Sequence, residues 1–590
     1  MFLGRGGFIG VDIFLVISGY LITSIILKEL VTTGSFSFKH FYERRVRRIL
    51  PALLFVMLVS LPFVWIYLLP SIFADFSKSI LYSLGFSSNF YFHYSGQVYG
   101  AINVFFKPFL HTWSLSVEEQ YYILFPIVLL ITFKYFKKYL IHILILGFIL
   151  GLGLAEWTSR SNPSKSFYFL HTRMWELLAG SILAYFEITL GYRSKNKTLN
   201  LILPTIGLFL IGHSILFFND KMLHPSLYTL STIVGVCLII WFSDKNDPLT
   251  KILSSKLFVV VGLFSYSLYL WHYPIFSLLK INGFISGNLF LKIAIIPIIF
   301  ILSIFTYKFI EIPFRNKKVS FKKVLTIISI SYLLLIFVNL IILTKKGFPH
   351  RFEILKEINQ FYNPDNYLLG NNRLNNVNVN KNKFDKNKYK ILIIGDSHGQ
   401  DLFNALSQTS DLYEKSLDVL YVSEVIYDSI EKYKSFLSNS DMIIFSSRFD
   451  NDSKLFLENN IKILKEINKN IYLASNVNEY KTYSKFYTLL DHKIIFDDTF
   501  SDYFSLKNYY YDNRVVNSDS EKNMLIKQLS KKINITYLNK EDFMCEIKKK
   551  ECFYADEVGN KLMFDSNHFT SEGAKFFGRK IFEINWLNLN

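Results

Sequence analysis

Long apolar runs separated by short polar loops occupy the first 345 residues of the chain. A bilayer core of roughly 30 Å needs about 20 apolar residues to cross it. Ten runs approach that length, at 8–27, 49–69, 117–133, 139–155, 173–190, 200–218, 226–243, 257–280, 289–310 and 323–344. The loops between them alternate between rich and poor in Lys and Arg, and basic loops stay in the cytoplasm. The pattern predicts a polytopic α-helical membrane domain over 1–345, after which the chain continues on the outer side.

The pattern changes beyond residue 345. Residues 346–388 are rich in Asn and show little apolar periodicity, which is typical of a solvated linker. Beyond them, short apolar runs lie at 389–394, 418–422, 441–446 and 471–475. Amphipathic stretches near 400–408, 453–468 and 571–583 separate or follow these runs. Strands that alternate with helices predict an extracytoplasmic α/β/α domain with a parallel sheet over 389–590.

Composition supports the membrane assignment and excludes other classes of protein. Of the 590 residues, 51% are hydrophobic and 19% are charged, which excludes fibrous and disordered chains. The net charge of +18 lies in loops between the apolar runs and on a Lys-rich soluble surface. No motif that reads nucleic acid accompanies this charge. The expected partner is therefore a lipid bilayer, and no nucleic acid is expected.

A Gly-Asp-Ser-His sequence, Gly395 to His398, directly follows the first predicted strand. Open α/β sheets bind ligands at the carboxyl ends of their strands, and a Ser hydroxyl there needs a nearby base to act as a nucleophile. Asp565 and His568 form a D-x-x-H sequence before the last predicted helix. We expect His568 to reach Ser397 while Asp565 holds the imidazole. Taken alone, each sequence is also a common turn or helix cap.

Together the two sequences resemble the first and last blocks of the SGNH hydrolase and acetylesterase family. The resemblance implies that Ser397, Asp565 and His568 form a catalytic triad. The middle of the domain departs from that family, because no G-x-N-D block supplies an Asn to an oxyanion hole. Residues 446–449 instead read SSRF, similar to SGNH domains that are fused to membrane acyltransferases. Arg448 is accordingly a candidate substrate contact or a plain surface cation.

Three cysteines are too few for a disulfide scaffold. Cys237 lies inside an apolar run, whereas Cys545 and Cys552 enclose a six-residue loop shortly before the D-x-x-H sequence. Outside the cytoplasm a disulfide between these two is expected, with a free or buried thiol pair as the alternative. No metal and no bound cofactor is expected.

Ionisable groups recur within or beside the apolar runs, where they are costly and mark functional sites. They are Asp12 near the start of the first run, Arg45 and Arg48 before the second, His111 and Glu118 at the third, His272 within the eighth and Glu311 at the end of the ninth. Each also has an ordinary interpretation, as a topology anchor, a solvated helix start or a hydrogen-bonded core histidine.

Five segments resemble the acyltransferase-3 membrane family in order and wording: G-F-x-G-V-D, R-x-x-R-I-x-P, W-S-L-x-V-E-E-Q, S-Y-x-L-Y-L-W-H-x-P and E-x-P-F-R. The resemblance implies transfer of an acyl group, usually acetyl, from cytoplasmic acyl-CoA to a surface polysaccharide such as lipopolysaccharide O-antigen or peptidoglycan. It maps Arg45 and Arg48 onto a cytoplasmic site for the phosphates of acetyl-CoA, the co-substrate. In this resemblance Asp12, Glu118 and Glu311 shape or orient the membrane site. His111 and His272 are weaker candidates, for proton transfer.

Members of that family begin with a further helix that carries a His, and this sequence starts directly at the G-F-x-G-V-D segment. One family helix is therefore expected to be missing, which favours an alternative function, a membrane-tethered SGNH carbohydrate acetylesterase. A transporter with an extracellular binding domain is disfavoured, because no internal repeat is found. The expected location is the bacterial inner (plasma) membrane, with the C-terminal domain in the periplasm.

Overall fold

The computed structural model of the chain describes most of the membrane domain and the greater part of the soluble domain. The described residues are 6–96, 107–219, 222–244, 247–282, 284, 289–348, 351, 384–385, 387–414, 416–423, 430–449, 461, 464–467, 470–480, 503–514, 516–554, 556, 562–563 and 567–589. Asp565 of the predicted triad lies outside them, as does most of the predicted linker at 346–388.

Helices make up the first part of the chain, because a helix satisfies its own backbone hydrogen bonds, as lipid requires. In chain order they are α1 (Gly10–Thr33), α2 (Phe38–Tyr67), α3 (Pro70–Leu84), α4 (Ser88–Ser95), α5 (Thr112–Tyr135), α6 (Leu140–Ser161), α7 (Pro163–Tyr168), α8 (Leu170–Leu190), α9 (Lys197–Phe217), α10 (Leu230–Phe242), α11 (Pro248–Leu253), α12 (Lys256–Leu263), α13 (Ser265–Ile281), α14 (Leu289–Ala294), α15 (Ile296–Thr306), α16 (Ile312–Arg315) and α17 (Phe321–Thr344).

Seven helical segments among the described residues are long and apolar enough to cross a membrane. They are Gly7–Thr33, Phe38–Tyr67, Thr112–Tyr135, Lys137–Ser161, Lys197–Phe217, Leu289–Arg315 and Phe321–Thr344. Helices α12 and α13, bent by 65° at their junction, make an eighth if they form one span. The polytopic helical domain is thus confirmed, and the count of ten spans stays a prediction.

The two remaining predicted spans, 173–190 and 226–243, are helical but differ in character from the others. Helix α8 carries Arg173, Glu176 and Glu187, so it is more polar than an ordinary span. The apolar segment Leu227–Phe242 is shorter than the seven full-length segments. Polar side chains within a helix are tolerated in lipid where they face protein rather than hydrocarbon. Arg173 and Glu176 do so, because both are buried.

Helix α3 lies where the sequence predicted part of a loop, between residues 70 and 116. Pro70 begins the helix, since its fixed φ suits a first helical turn. Ile72, Phe73, Phe76 and Ile80 are buried along one side of it. The prediction of a loop was wrong here because the segment is amphipathic and too short to register as an apolar run.

Helices α1 and α8 approach each other closely through two glycines. A Cβ on Gly19 would lie 1.9 Å from the Leu177 carbonyl oxygen, and one on Gly180 would lie 2.0 Å from the Val16 carbonyl oxygen. Neither position has room for any larger side chain, since both obstacles are backbone atoms. Small residues of this kind let membrane helices associate through close backbone packing.

Replacement of Gly180 by Leu is expected to prevent correct packing of α1 against α8. The added side chain meets backbone within 2.0 Å, so the helices must separate, at a cost of at least about 3 kcal/mol. We expect the yield of monodisperse protein in detergent size-exclusion chromatography to fall several-fold. Gly153→Leu is the matched control, because nothing lies within 4 Å of a Cβ at that position of α6. Equal yields of the two variants would contradict the prediction.

The soluble domain is built on a parallel sheet. Its strands are β1 (Tyr389–Gly395), β2 (Leu417–Ser423), β3 (Met442–Phe445), β4 (Ile471–Ala474) and β5 (Thr536–Leu538), and a separate antiparallel pair is β6 (Cys545–Glu546) and β7 (Glu551–Cys552). The sheet order is β2-β1-β3-β4-β5, with every neighbouring pair parallel. The four predicted strands correspond to β1–β4, and β5 was missed because only three residues form it.

Helices cover both faces of this sheet. In chain order they are α18 (Ser397–Gln408), α19 (Ile430–Asn439), α20 (Tyr503–Asp512), α21 (Val516–Lys532), α22 (Glu541–Met544) and α23 (Ser571–Glu583). Alternate residues of β1 point to opposite faces: Ile391 and Ile393 pack with Leu402 of α18 and Phe577 of α23. On the other face, residues 392 and 394 pack with Leu437 of α19 and Leu529 of α21. The predicted α/β/α architecture with a parallel sheet is confirmed.

Candidate active site

The Gly-Asp-Ser-His sequence forms a sharp turn from β1 into α18, at the carboxyl edge of the sheet. Gly395 is required there, because a Cβ would lie 2.0 Å from the Ser446 carbonyl oxygen of the neighbouring strand end. Asp396 is the N-cap of α18, and its Oδ1 accepts a hydrogen bond from the backbone N–H of His398 at 2.8 Å. Ser397 is thereby placed at the first position of the helix.

The structure brings Ser397 and His568 together although 171 positions separate them. Ser397 Oγ lies 2.9 Å from His568 Nε2, a distance that allows the hydroxyl to donate to the imidazole. The turn that carries His568 is held from α18, since the backbone N–H of Phe569 donates to Asp401 Oδ2 at 3.2 Å. Asp565, the predicted third member, falls outside the described residues and stays a prediction.

The Ser397 backbone N–H is available to a ligand. As the first residue of α18 it has no acceptor within the helix, and no acceptor for it is found among the other described residues. Backbone N–H groups in this position stabilise the oxyanion that develops when a carbonyl is attacked by a hydroxyl. One donor suited to an oxyanion hole is therefore in place beside the candidate nucleophile.

The loop after β3 is fixed against the Gly-Asp-Ser turn. Ser447 Oγ accepts from the Asp396 backbone N–H at 3.2 Å, and the Arg448 backbone N–H donates to Asp396 Oδ2 at 2.8 Å. Asn476, which follows β4, makes two hydrogen bonds, of 2.8 and 3.0 Å, to the backbone of Phe449, the residue after Arg448. Asp396 thus connects the Gly-Asp-Ser turn to the loop after β3, a role that its sequence motif alone did not reveal.

Arg448 projects from this loop with about half of its side chain exposed. Its Nη2 forms an ion pair of 2.7 Å with Glu479 Oε1, from the loop that follows β4. The sequence identified Arg448 as a candidate substrate contact and missed Glu479, which belongs to no motif. The structure places both beside the turn that carries His568, because Asn567 Nδ2 lies 3.4 Å from Glu479 Oε1.

A disulfide joins Cys545 and Cys552 across the β6–β7 pair. The two cysteines face each other in the register of that antiparallel pair, with their Cα atoms 4.0 Å apart. Both are buried, and the Phe553 backbone N–H donates to the Met544 carbonyl at 2.9 Å beyond the bridge. Cys237 is a free thiol on α10, as its position in an apolar run indicated.

Lys540 is buried beneath the site and was missed by the sequence analysis. It follows β5, and its side-chain amine has no hydrogen-bond partner among the described residues. Burial lowers the pKa of Lys540 to about 7, and the nearby Asp396 carboxylate acts in the opposite direction. A buried ammonium without a hydrogen-bonding partner destabilises the folded state, so this residue weakens the domain around neutral pH.

Lys540→Met is expected to stabilise the protein near pH 7 and to flatten its pH dependence. Between the folded pKa of about 7 and the ordinary value of 10.5, the unfolded chain binds more protons than the folded chain. Stability of the unsubstituted protein therefore rises with pH in that window, on the order of 1 kcal/mol per pH unit. Thermal unfolding between pH 6.5 and 9.5 measures this slope. Lys549→Met, at an exposed position, is the control, and identical slopes in both variants would contradict the prediction.

Arg45 and Glu118 are linked through Tyr122 of α5. The Arg45 guanidinium lies over the Tyr122 ring, 4.3 Å from its centroid. Glu118 is buried and accepts hydrogen bonds from Ser18 Oγ at 2.5 Å and from the Tyr122 hydroxyl. Arg48 is exposed and has Arg45 among its electrostatic neighbours. Arg45 and Arg48 thus lie beside a buried polar cluster that contains Glu118.

Arg47 has a different role from its neighbours in the sequence. It is buried, pairs with Glu43 at 3.0 Å, and donates to the carbonyls of Phe314 and Val319 at 3.2 and 2.9 Å. These bonds satisfy carbonyl groups at and beyond the end of α16. The four arginines that the sequence presents as one run thus divide into a structural residue, Arg47, and three arginines for which no ion pair is found among the described residues.

Glu311 lies buried in a π-helical turn, Tyr307–Glu311, between α15 and α16. Its carboxylate accepts from Ser267 Oγ of α13 at 2.5 Å and pairs with Arg315 at 2.5 Å. Turns of this type are frequent at functional sites. Arg315 is also an electrostatic neighbour of Arg48, so this cluster lies near the arginines that precede the second span.

Asp12 belongs to a buried network of charges that the sequence did not anticipate. Arg173 Nη1 binds Asp12 Oδ1 at 2.7 Å and Glu176 Oε1 at 3.1 Å, and all three side chains are fully buried. His224 Nε2 lies 2.9 Å from Asp12 Oδ2. The sequence analysis missed both Arg173, which stands at the first position of the predicted span 173–190, and His224, which lies in a short loop. The pairing explains how lipid-embedded helices tolerate these charges.

His111 and His272 lie side by side, with ring centroids 5.5 Å apart. His272 Nδ1 is 2.7 Å from the Tyr269 carbonyl oxygen, whereas His111 is buried with neither ring nitrogen hydrogen-bonded among the described residues. The Tyr269 hydroxyl donates to the His111 carbonyl at 2.5 Å. The structure therefore brings the two candidate histidines together, and among the described residues neither forms a hydrogen bond with Asp12 or Glu118. No cluster of three metal-ligating residues is found in the described part of the chain.

Two family models match the chain. One, described as an acyltransferase domain, matches residues 1–308, and the other, described as an SGNH domain fused to AT3 domains, matches residues 367–582. One solved structure, the periplasmic domain of a lipopolysaccharide acetyltransferase from Salmonella ser. Paratyphi A, is 19% identical, covers 34% of this chain and 85% of that one, and has a TM-score of 0.28.

The curated relatives are O-acetyltransferases by name. Peptidoglycan O-acetyltransferase OatA of Listeria monocytogenes is 32% identical over 326 residues, 53% of this chain and 52% of that protein. O-acetyltransferase OatA of Staphylococcus aureus (strain NCTC 8325) is 31% identical over 325 residues, 53% of each chain. The chain thus spans about half the length of the curated relatives it matches. Because the first model covers 308 of the 590 residues, the chain belongs to the acyltransferase family that this model defines, and it carries the SGNH domain that is fused to such domains.

Proposed function

We propose that this protein transfers an acyl group, acetyl in the first instance, from a cytoplasmic acyl-CoA to hydroxyl groups of a cell-surface polysaccharide. The observation that carries the proposal is the pair formed by Ser397 Oγ and His568 Nε2, 2.9 Å apart, in a chain of the acyltransferase family. A hydroxyl so activated accepts an acyl group and passes it on. The multi-pass membrane domain supplies the route from a donor inside to an acceptor outside.

The donor site proposed for the membrane domain consists of Arg45 and Arg48. Guanidinium groups bind phosphate oxygens with paired, charge-assisted hydrogen bonds. Arg45 is oriented by its stacking on Tyr122, and Arg48 is exposed, so both can meet a ligand from the cytoplasm. The phosphates of a CoA thioester are anions of the required kind. Glu118 and Glu311 would orient the polar side of the same membrane site.

The outer reaction proceeds in two balanced steps. Ser397 Oγ attacks the acyl carbonyl carbon while His568 Nε2 takes the hydroxyl proton, and the donor leaves with that proton. An acceptor hydroxyl then gives its proton to His568 and attacks the acyl-serine carbonyl, which forms the new ester, while His568 passes that proton to the leaving Ser397 Oγ. The free Ser397 N–H stabilises the oxyanion in both steps. Asp565 is proposed to hold the His568 ring.

The acceptor is proposed to be a glycan hydroxyl outside the cytoplasm, in peptidoglycan or in lipopolysaccharide. The named relatives favour peptidoglycan, since one is called a peptidoglycan O-acetyltransferase. A second function, a tethered carbohydrate acetylesterase, is favoured by the same Ser397–His568 pair, because that pair hydrolyses an ester if water replaces the acceptor. In that case the membrane arginines are not needed. The protein is proposed to lie in the bacterial plasma membrane with its SGNH domain outside.

The test is the O-acetyl content of purified peptidoglycan and surface polysaccharide, measured by proton NMR in a deletion strain and after complementation with this chain. Acetyl that is lost on deletion and restored by the chain supports the transferase, and the fraction that changes identifies the acceptor. Acetyl content that is unchanged or higher after deletion contradicts the transferase. An increase restored to normal by complementation would identify the esterase instead.

A further inference from the structure

Arg448 is anchored at its backbone and at its guanidinium. Its backbone N–H binds Asp396 Oδ2 at 2.8 Å, directly before the nucleophile, and its Nη2 binds Glu479 Oε1 at 2.7 Å. The Arg448 side chain is 53% exposed and that of Glu479 only 18%. The carboxylate is therefore the sheltered partner, and it holds the guanidinium at the open side of the site.

Glu479 closes a ring of contacts around the Ser397–His568 pair. Besides Arg448 it accepts from Asn567 Nδ2 at 3.4 Å, and Asn567 precedes His568 in the chain. The loop after β4 is therefore linked both to the loop after β3 and to the turn with the general base. Within the described residues, Glu479 is the carboxylate that makes both of these links.

The ion pair leaves donors of Arg448 unused. Only Nη2 is engaged by Glu479, and neither Nε nor Nη1 has an acceptor among the described residues. An exposed arginine without an anchor loses side-chain entropy when it is fixed by a ligand. Because Glu479 has already fixed the guanidinium, binding of a substrate oxygen to Nε or Nη1 does not carry that penalty again.

We propose that Glu479 is a positioning residue of the SGNH site: it orients the Arg448 guanidinium, whose free N–H groups bind an oxygen of the acyl or acceptor group, and it holds the turn that carries His568. This proposal rests on the proposed acyl transfer at Ser397. Glu479 touches no reacting atom, so its effect passes chiefly through Arg448, with which it forms the shorter contact of 2.7 Å, and only secondarily through Asn567 at 3.4 Å. A misplacement of about 1 Å at such a site lowers turnover by up to about 100-fold.

The experiment uses the full chain in detergent, with 4-nitrophenyl acetate as acyl donor and a chitooligosaccharide as acceptor. Glu479→Gln is expected to lower kcat about 10- to 100-fold with little change in KM for the donor and an unchanged unfolding temperature. Glu479→Asp, which keeps the charge, is expected to recover part of the loss. Glu583→Gln is the matched control, because it removes an ion pair of 2.7 Å with Lys580 on the distant end of α23.

A double variant separates positioning from a general structural role. If Glu479 acts mainly through Arg448, Glu479→Gln added to Arg448→Lys lowers kcat by less than about threefold more. Wild-type kcat in Glu479→Gln, or losses that multiply in the double variant, would overturn the inference. A loss of kcat that follows a lower unfolding temperature would do so as well. Ser397→Ala is run beside them: if it keeps full activity the proposed function itself fails, whereas its inactivity with an active Glu479→Gln refutes only the role of Glu479.

Discussion

Replacing Ser397 by Ala is expected to abolish acyl transfer to surface glycans, with a loss of at least about 10⁴-fold in kcat. In the proposed mechanism the hydroxyl 2.9 Å from His568 Nε2 takes the acyl group, and alanine offers no atom in its place. The remaining oxyanion donor and binding groups cannot replace a covalent step. O-acetyl content of the complemented strain, measured by proton NMR, reports the loss.

The same variant tests for the covalent intermediate. Intact-protein mass spectrometry of the unsubstituted chain, quenched during turnover, is expected to show an added acetyl group that the Ser397→Ala chain lacks. Ser438→Ala is the control, because that hydroxyl is exposed on α19, away from the Gly-Asp-Ser turn. Full acetylation of glycans by Ser397→Ala would exclude the proposed route through the SGNH domain.

Replacing Arg45 and Arg48 together by Ala is expected to lower acetyl transfer in cells by at least about 100-fold, while leaving ester hydrolysis at Ser397 nearly intact. Two charge-assisted contacts to phosphate contribute roughly 1.5–3 kcal/mol each, which corresponds to that loss. Hydrolysis of 4-nitrophenyl acetate by the purified chain needs no CoA and therefore no guanidinium in the membrane domain. The two measurements distinguish a failed donor site from a damaged protein.

Arg44→Ala is the control for charge, since Arg44 is exposed in the same run of arginines. Arg47 is unsuitable, because its removal would leave the carbonyls of Phe314 and Val319 without their donor. If the variant lacking Arg45 and Arg48 still acetylated glycans at the normal level, the donor site would lie elsewhere. If glycan acetylation did not depend on the chain at all, the tethered esterase would be favoured.

These arginines show which features a local sequence pattern predicts and which it does not. A run of basic residues before a span predicts a cytoplasmic position through the cost of moving charge across lipid. It does not predict that Arg47 turns inward to the carbonyls after α16, about 270 positions later in the chain, while Arg45 stacks on Tyr122. Those contacts depend on how α2, α5 and α16 pack. A short stretch of sequence does not indicate which helices pack together.

The soluble domain shows the same difference between what local patterns predict and what tertiary contacts decide. Buried β-strands and amphipathic helices have periods that are visible in the sequence, so β1–β4, α18 and α23 were predicted near their observed positions. Ser397 and His568 were found because each lies in a recognisable turn motif beside such an element. Glu479 and Asn476 were missed, since they lie in the loop after β4, where no periodicity applies and only the neighbouring loop gives them a partner.

The sequence by itself determined the membrane domain, the parallel α/β domain that follows it and the family of the chain, and it correctly brought Ser397 together with His568. Hydrophobic periodicity and short motifs are local properties, so they can be recognised without knowledge of the fold. Only the tertiary structure decided which charges pair: Asp12 with Arg173 and His224, Glu311 with Ser267, and Arg448 with Glu479. The physical reason is that burying a charge is favourable only with a partner, and that partner is chosen by helices and loops that meet far apart in sequence.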